Sequence, residues 1–181
     1  MNKKYKVLAL FGESGNGKDY IQRELIRLFP DQTKGIVSCT TRPRRDYEVD
    51  GKDYYFMTVS VFGEKVLNGT MLEATCFNDW FYGTAIEELE CNKINIGVFN
   101  VEGIRCLISD SRLDVIPIYI TASPKTRLMR ALKREDNPDC HEICRRFLAD
   151  EQDFADLDFD YIIFDNDAYA GDITKLFNFI N

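Results

Sequence analysis

The sequence predicts an α/β domain built on a parallel sheet flanked by helices. Three observations carry that expectation. A continuous apolar run, YKVLALF at 5–11, leads into a glycine-rich turn, GESGNGKD, and then into YIQRELIRLF at 20–29. In that last stretch Ile21, Leu25, Ile26, Leu28 and Phe29 recur at helical spacing. Further apolar runs at 94–99 (INIGVF), 115–120 (VIPIYI) and 161–164 (YIIF) read as strands buried on both faces. Buried strands alternating with helices are the pattern of a parallel sheet.

In chain order, the first strand at 5–11 is apolar at every position but Lys6, as a central strand should be. The helix at 20–29 stops before Pro30, which cannot continue it. GIVSCTT at 35–41 reads as a short strand, and 60–68 and 84–91 read as helices. A basic helix is expected over 123–135, with Ser123 as N-cap and Pro124 at its first position. A second helix follows over 139–153, and a last amphipathic helix over 171–180. Residues 36–83 break the strand–helix rhythm, are polar and aromatic, and carry an Asp50-Gly51 turn signal. They look like an inserted module.

The 181 residues suffice for one domain with a sizeable core, and 45% hydrophobic with 29% charged residues is ordinary for a soluble globular chain. No apolar run approaches the roughly 18 residues of a membrane span. The start, MNKKYKVLALFGESG, reaches Gly12 without a small-residue cleavage site, so it reads as a buried strand and not a signal peptide. A net charge of −7 argues against a long polyanion as partner. Basic residues nonetheless cluster at Arg42, Arg44 and Arg45, and again at Arg127, Arg130, Lys133 and Arg134, which suits a small anionic ligand. The six cysteines form no CxxC pair, and Cys140, His141 and Cys144 lack a second cluster to complete a metal site. Free, reduced thiols and a cytoplasmic location are expected.

GESGNGKD matches the phosphate-binding pattern G-x-x-x-x-G-K-[ST] until its last residue. Its context, strand before and helix after, is the one the motif requires. Backbone N–H groups from Gly12 through Glu13, Ser14, Gly15, Asn16 and Gly17 would face phosphate oxygens at the helix N-terminus, and Lys18 would bridge the terminal phosphates. Asp19 replaces the hydroxyl that normally meets Mg²⁺. It could ligate the ion directly, act through a metal-bound water, or only stabilise the first helical turn.

Two further stretches stand downstream: TTRPRRDYEVDGKDYYF at 40–56 and MLEATCFNDWFYGT at 71–84. With GESGNGKD they make the sequence resemble guanylate kinases over nearly its whole length. The family patterns are close to TTRPxRxGExxGxDYxF and FxExxxxxxxxYGT. The resemblance implies a P-loop NTPase-type core at 1–35, 85–125 and 147–181, a nucleoside-monophosphate module at 36–84 and a helical lid at 126–146. It implies ATP and Mg²⁺ as cofactors, GMP or dGMP as acceptor, and neither nucleic acid nor membrane as partner. Carried over by position, Arg42, Arg45, Tyr54 and Tyr82 would hold the monophosphate, Ser38 and Thr84 would read the base, and Glu73 would accept hydrogen bonds from guanine. The chemistry agrees for Glu73, since guanine offers two donors that one carboxylate can accept. Arg130, Arg134 and Arg146 match lid arginines that compensate charge on the transferring phosphoryl group.

The chain departs from the family pattern at four places. Asp19 is one. Val98 and Asn100 stand where the acidic motif D-x-D-x-x-G has aspartates, so Asn100 would contact a base without charge. FDND at 164–167 leaves either Asp165 or Asn166 for a turn near adenine, and Glu135 replaces a lid glycine. Two other readings stay open beside the kinase: a guanylate-kinase-like binding module without turnover, and a kinase for a different acceptor, another monophosphate or a ribose phosphate.

Overall fold

A computed structural model describes residues 4–77, 79–134, 137–168 and 172–178. Five parallel strands form the main sheet: β1 (Tyr5–Phe11), β2 (Thr33–Gly35), β7 (Ile94–Val98), β8 (Leu113–Thr121) and β9 (Ile162–Asp165), in the order β2-β7-β1-β8-β9. β1 lies in the middle because its apolar run can be covered on both faces. Its residues alternate as a strand must. Leu8 and Leu10 pack with Ile21 and Leu25 of α1 (Lys18–Leu28) and Leu176 of α6 (Thr174–Asn178). Val7, Ala9 and Phe11 pack on the other side with Ile104 and Leu107 of α3 (Val101–Ser109).

A smaller sheet, β4-β3-β6-β5, is built from β3 (Cys39–Thr40), β4 (Tyr55–Phe56), β5 (Met71–Phe77) and β6 (Trp80–Ala85). α2 (Val59–Leu67) lies against it through buried Phe62, and Thr58 caps that helix by accepting from Val61 N. α4 (Pro124–Leu132) and α5 (Cys140–Asp153) form a helical pair. Ser123 caps α4, with Pro124 at its start, as expected.

Three expectations change. The strand at 35–41 splits: β2 pairs with β7 in the main sheet, whereas β3 pairs with β6 in the small one. The helix at 84–91 does not form. Residues 80–85 join β5 as an antiparallel strand, and only one 3-10 turn, Ile86–Glu88, follows. Pairing with β5 buries Gly83 and Thr84, and local helix propensity does not compete with that tertiary gain. Of the tail helix, Thr174–Asn178 is helical and Asp172 and Ile173 precede it, whereas 171, 179 and 180 lie outside the described residues, as does Glu135. No described helix is long and apolar enough to cross a membrane.

The carboxyl ends of β1, β7 and β8 all open on one edge of the sheet. In open parallel sheets that edge, beside the first strand, is where ligands bind.

Candidate phosphate-binding cleft

The loop from Gly12 to Lys18 leaves the end of β1 with Gly12, Gly15 and Gly17 at φ values of 131°, 82° and 95°. Lys18 folds back over it. Its ammonium donates to Gly12 O (2.7 Å), Glu13 O (2.9 Å) and Asn16 Oδ1 (3.2 Å), so the three N–H bonds hold the loop in a ring. Burial pushes Lys18 down to about 8, opposed by Asp19, Asp150 and Glu13 and reinforced by nearby Arg146. Asn16 is fully buried and donates to Ile120 O of β8. Asn166 donates to Asn16 O at 2.8 Å. The amide beside the loop is therefore Asn166, whereas exposed Asp165 accepts from Asp167 N and Ala168 N in its own turn.

A cavity of about 830 Å³ opens over this loop. Lys18, Asp19, Arg130, Arg134 and Arg146 all line it, as does Val98 from the end of β7. The structure thus brings the loop and the three arginines to one space, although 112 to 128 positions separate Lys18 from them in sequence (130 − 18, 146 − 18). Arg130 donates to Asn16 O (3.2 Å) and Gly15 O (3.4 Å). Asp19 sits exposed in the first turn of α1, on the cavity wall.

The second cluster lies on the small sheet. Arg42 makes a two-pronged pair with buried Glu48, at 2.6 and 3.0 Å. The Arg42 guanidinium holds Glu48 down at about 2. Arg42 also stands 5.6 Å from the ring centres of Tyr54 and Phe56, and Tyr54 meets Tyr82 edge-on at 6.0 Å. Burial raises the Tyr54 phenol, with the Tyr82 phenol adding to the shift and the Arg42 guanidinium opposing it. Arg45 is tied in through its backbone N–H, which donates to Glu48, while its exposed guanidinium meets Tyr47.

Glu73 and Thr84 face each other across β5 and β6, both buried. Burial pushes Glu73 up to about 7, partly opposed by Thr84. The Thr84 hydroxyl oxygen is buried and makes no hydrogen bond of good geometry among the described residues, yet it lies close enough to Glu73 to favour its ionised form. Ser38 is half-buried, and its carbonyl accepts from Tyr55 N. Asn100 caps α3: its Oδ1 accepts from Gly103 N at 2.7 Å. That cap uses one lone pair of the amide oxygen and leaves the Asn100 NH2 as a donor.

Of the residues that support these groups, Glu48 and Asp150 are not singled out by the sequence. Glu48 stood within the quoted motif, and its acidic type three residues after Arg45 was the available signal. Asn166 was one of two adjacent candidates. Arg127, counted among the basic residues that suit a small anionic ligand, has a side chain only 9% exposed and pairs with Asp150 at 2.6 Å. Asp150, in a helix with no buried residues, carried no signal at all. Glu13, expected at the phosphates, turns its carboxylate towards Arg127 at 3.5 Å.

Comparison with known proteins bears on this cleft. The guanylate kinase family model matches residues 4–181. The chain is 31% identical to the guanylate kinase of Chlamydia felis over 169 residues, covering 90% of this chain and 81% of that one. It is 30% identical to the guanylate kinase of Wolbachia pipientis over 89% of this chain and 82% of the other. Disks large homolog 2 of Rattus norvegicus is 35% identical over 78% of this chain, which is 17% of that protein. In structure, guanylate kinase from Anaplasma phagocytophilum superposes with a TM-score of 0.69, over 99% of this chain and 86% of that one, at 18% identity. With its loop, its arginine-lined cleft and a family match running from Lys4 to the last residue, the chain belongs to the guanylate kinase family.

Proposed function

We propose that the protein is an ATP-dependent nucleoside monophosphate kinase that transfers the γ-phosphoryl group of ATP directly to GMP or dGMP. The observation that carries this reading is the shared cavity: the loop lysine, Arg130 of α4, Arg134 just beyond it and Arg146 of α5 line one space. Lys18 would exchange its three loop carbonyl and amide contacts for ATP phosphate oxygens, recovering full charge as it does so. Arg130, Arg134 and Arg146 would compensate the charge spread over the transferring group. Arg42, Arg45, Tyr54 and Tyr82 would receive the acceptor phosphate, with Glu48 holding the Arg42 fork in place.

For the base, Glu73 would accept from guanine N1–H and N2–H, and the Thr84 hydroxyl and Ser38 would complete the set. Asn100, through its amide NH2, would meet an acceptor such as O6 or N7. Mg²⁺ fits the donors present. Among the described residues no three His, Cys, Asp or Glu side chains could cage a metal. Mg²⁺ is ordinarily held by one or two carboxylates plus substrate phosphates, and Asp19 supplies such a carboxylate on the cavity wall. When bound, the ion would neutralise phosphate charge, and Asp19 would orient it at the start of α1.

The test is a coupled ADP-release assay over GMP, dGMP, AMP, CMP, UMP and ribose 1,5-bisphosphate, with Mg²⁺ or Mn²⁺, using wild type and Asp19→Ser. Turnover is expected with GMP or dGMP, and Asp19→Ser should change the metal preference. No turnover with any acceptor in a folded sample would sink the proposal. A second reading, nucleotide binding without turnover, is favoured by Val98 and Asn100 in place of aspartates. Calorimetric binding of ATP or GMP with no ADP release would select it.

A further inference from the structure

Outside the contacts already assigned to nucleotides, one buried charged network touches the loop. Asp150, in the last turn of α5, accepts from Ser14 N at 2.8 Å and from Arg127 Nη2 at 2.6 Å through the same oxygen. Its other oxygen accepts from the Ser14 hydroxyl at 3.3 Å. Arg127, in the first turn of α4, donates through Nε to Ser14 O at 2.9 Å and lies 4.6 Å from the Phe147 ring centre. Two side chains therefore hold the amide, the carbonyl and the hydroxyl of a single loop residue. The backbone is equally close: a Cβ on Gly15 would stand 2.7 Å from Arg127 O.

The placement of this network matters more than its strength. Arg127 and Asp150 stand at the ends of the two helices away from Leu132 and Cys140. Arg130 follows Arg127 by three residues, and Arg146 precedes Asp150 by four, so each shares a helix face with its anchor. Both of those arginines line the cavity. Fixing Ser14 also fixes the peptide planes that lead into the amides of Gly15 to Lys18.

We propose that Asp150, locked by Arg127, is a positioning residue that holds the phosphate loop open for the ATP phosphates and sets the approach of the arginines on α4 and α5. The proposal rests on the kinase reading for the identity of its ligand. A buried ion pair could equally serve stability alone, because breaking one leaves an unpaired charge inside. The two roles separate experimentally.

The dissociation constant of Mg·ATP is measured by calorimetry, KM for ATP and for GMP by turnover, and Tm by thermal melting. The variants are Asp150→Ala, Asp150→Asn and the double apolar replacement Arg127→Met with Asp150→Leu. Asp150→Ala should weaken ATP binding about tenfold, the scale of a buried amide left without its acceptor, with KM for GMP unchanged. Asp150→Asn keeps an acceptor for Ser14 N and should recover part of that loss. The double variant should regain wild-type Tm, since apolar side chains replace the pair without leaving a charge, yet keep the weakened ATP binding. Wild-type ATP affinity in folded Asp150→Ala, or in the double variant, would overturn the proposal. If Asp150→Ala does not fold, the double variant decides. A wild type that binds ATP without turnover refutes the kinase reading and leaves this inference to the dissociation constants. A wild type that does not bind ATP overturns both.

Discussion

Glu73→Gln tests the base site through a quantity that needs no substrate. Glu73 sits on β5 at 9% exposure, opposite Thr84. Its carboxyl rises from an ordinary 4.5 to about 7 because burial disfavours the ion. Between those two pH values the folded chain binds a proton that the unfolded chain does not. The contribution of the neutral acid to stability is therefore complete below pH 4.5 and is lost as pH rises through 7. The shift corresponds to about 3 kcal/mol at 1.36 kcal/mol per pH unit. Glutamine cannot ionise and escapes this cost. Glu73→Gln should melt close to wild type at pH 5 and at pH 8 should exceed it by up to about 3 kcal/mol, or roughly 6–12 °C for a chain of this size.

Ligand binding should show the opposite preference. Guanine donors favour the carboxylate, so wild-type affinity for GMP should rise with pH up to 7 and then level off. Glu73→Gln should bind GMP more weakly and without that slope. Thermal melts at the two pH values and a pH series of GMP titrations make the measurement. The same pH dependence of Tm in both proteins would refute the burial argument. A flat GMP profile in wild type would refute the role in reading guanine.

Lys18, held at about 8 against an ordinary 10.5, makes a complementary prediction. The unfolded chain binds the extra proton between those values, so stability without nucleotide should rise with pH across that interval. ATP restores the charged form, so binding at pH 9 should take up close to one proton, and affinity should fall about tenfold per pH unit above 8. Calorimetry in two buffers of different ionisation heat reads this, and zero uptake would contradict it. Gly12→Ala should cost about 2 kcal/mol, on the scale of forcing a side chain into a positive-φ conformation. Gly12 has a φ of 131°, and a Cβ there would meet Ile120 O and Asn16 Nδ2, both at 2.4 Å. An unchanged Tm would count against the close approach of loop and β8.

The local elements were legible where the chain's own periodicity decides them. The run from Tyr5 to Phe11 is apolar at every position but Lys6, and a strand of that kind can lie only inside a sheet. Ser123 and Pro124 start a helix for reasons held within three residues. The glycine spacing of the loop and the order of Arg42, Tyr54 and Glu73 likewise belong to sequence alone, because motif geometry is short-range. Residues 84–91 show where that logic ends. Their helix propensity yields to pairing with β5, which no window of that length contains.

Charge was legible as composition, and its partners were not. Two arginine clusters announce an anion, but Arg42 answers to Glu48 and Arg127 to Asp150, the latter pair 23 residues apart and joined by helix packing. Nor can a sequence say that Glu73 titrates near 7 or Lys18 near 8, since both values come from burial that only the assembled sheets and helices impose. The sequence by itself determined which side chains are present and which turn carries the phosphate-loop pattern. The tertiary structure decided which charges are neutralised, which amide Asn100 and Asn166 spend on the backbone, and which arginines share a cavity with Lys18. Those are properties of distance and solvent exclusion, and neither exists until the chain is folded.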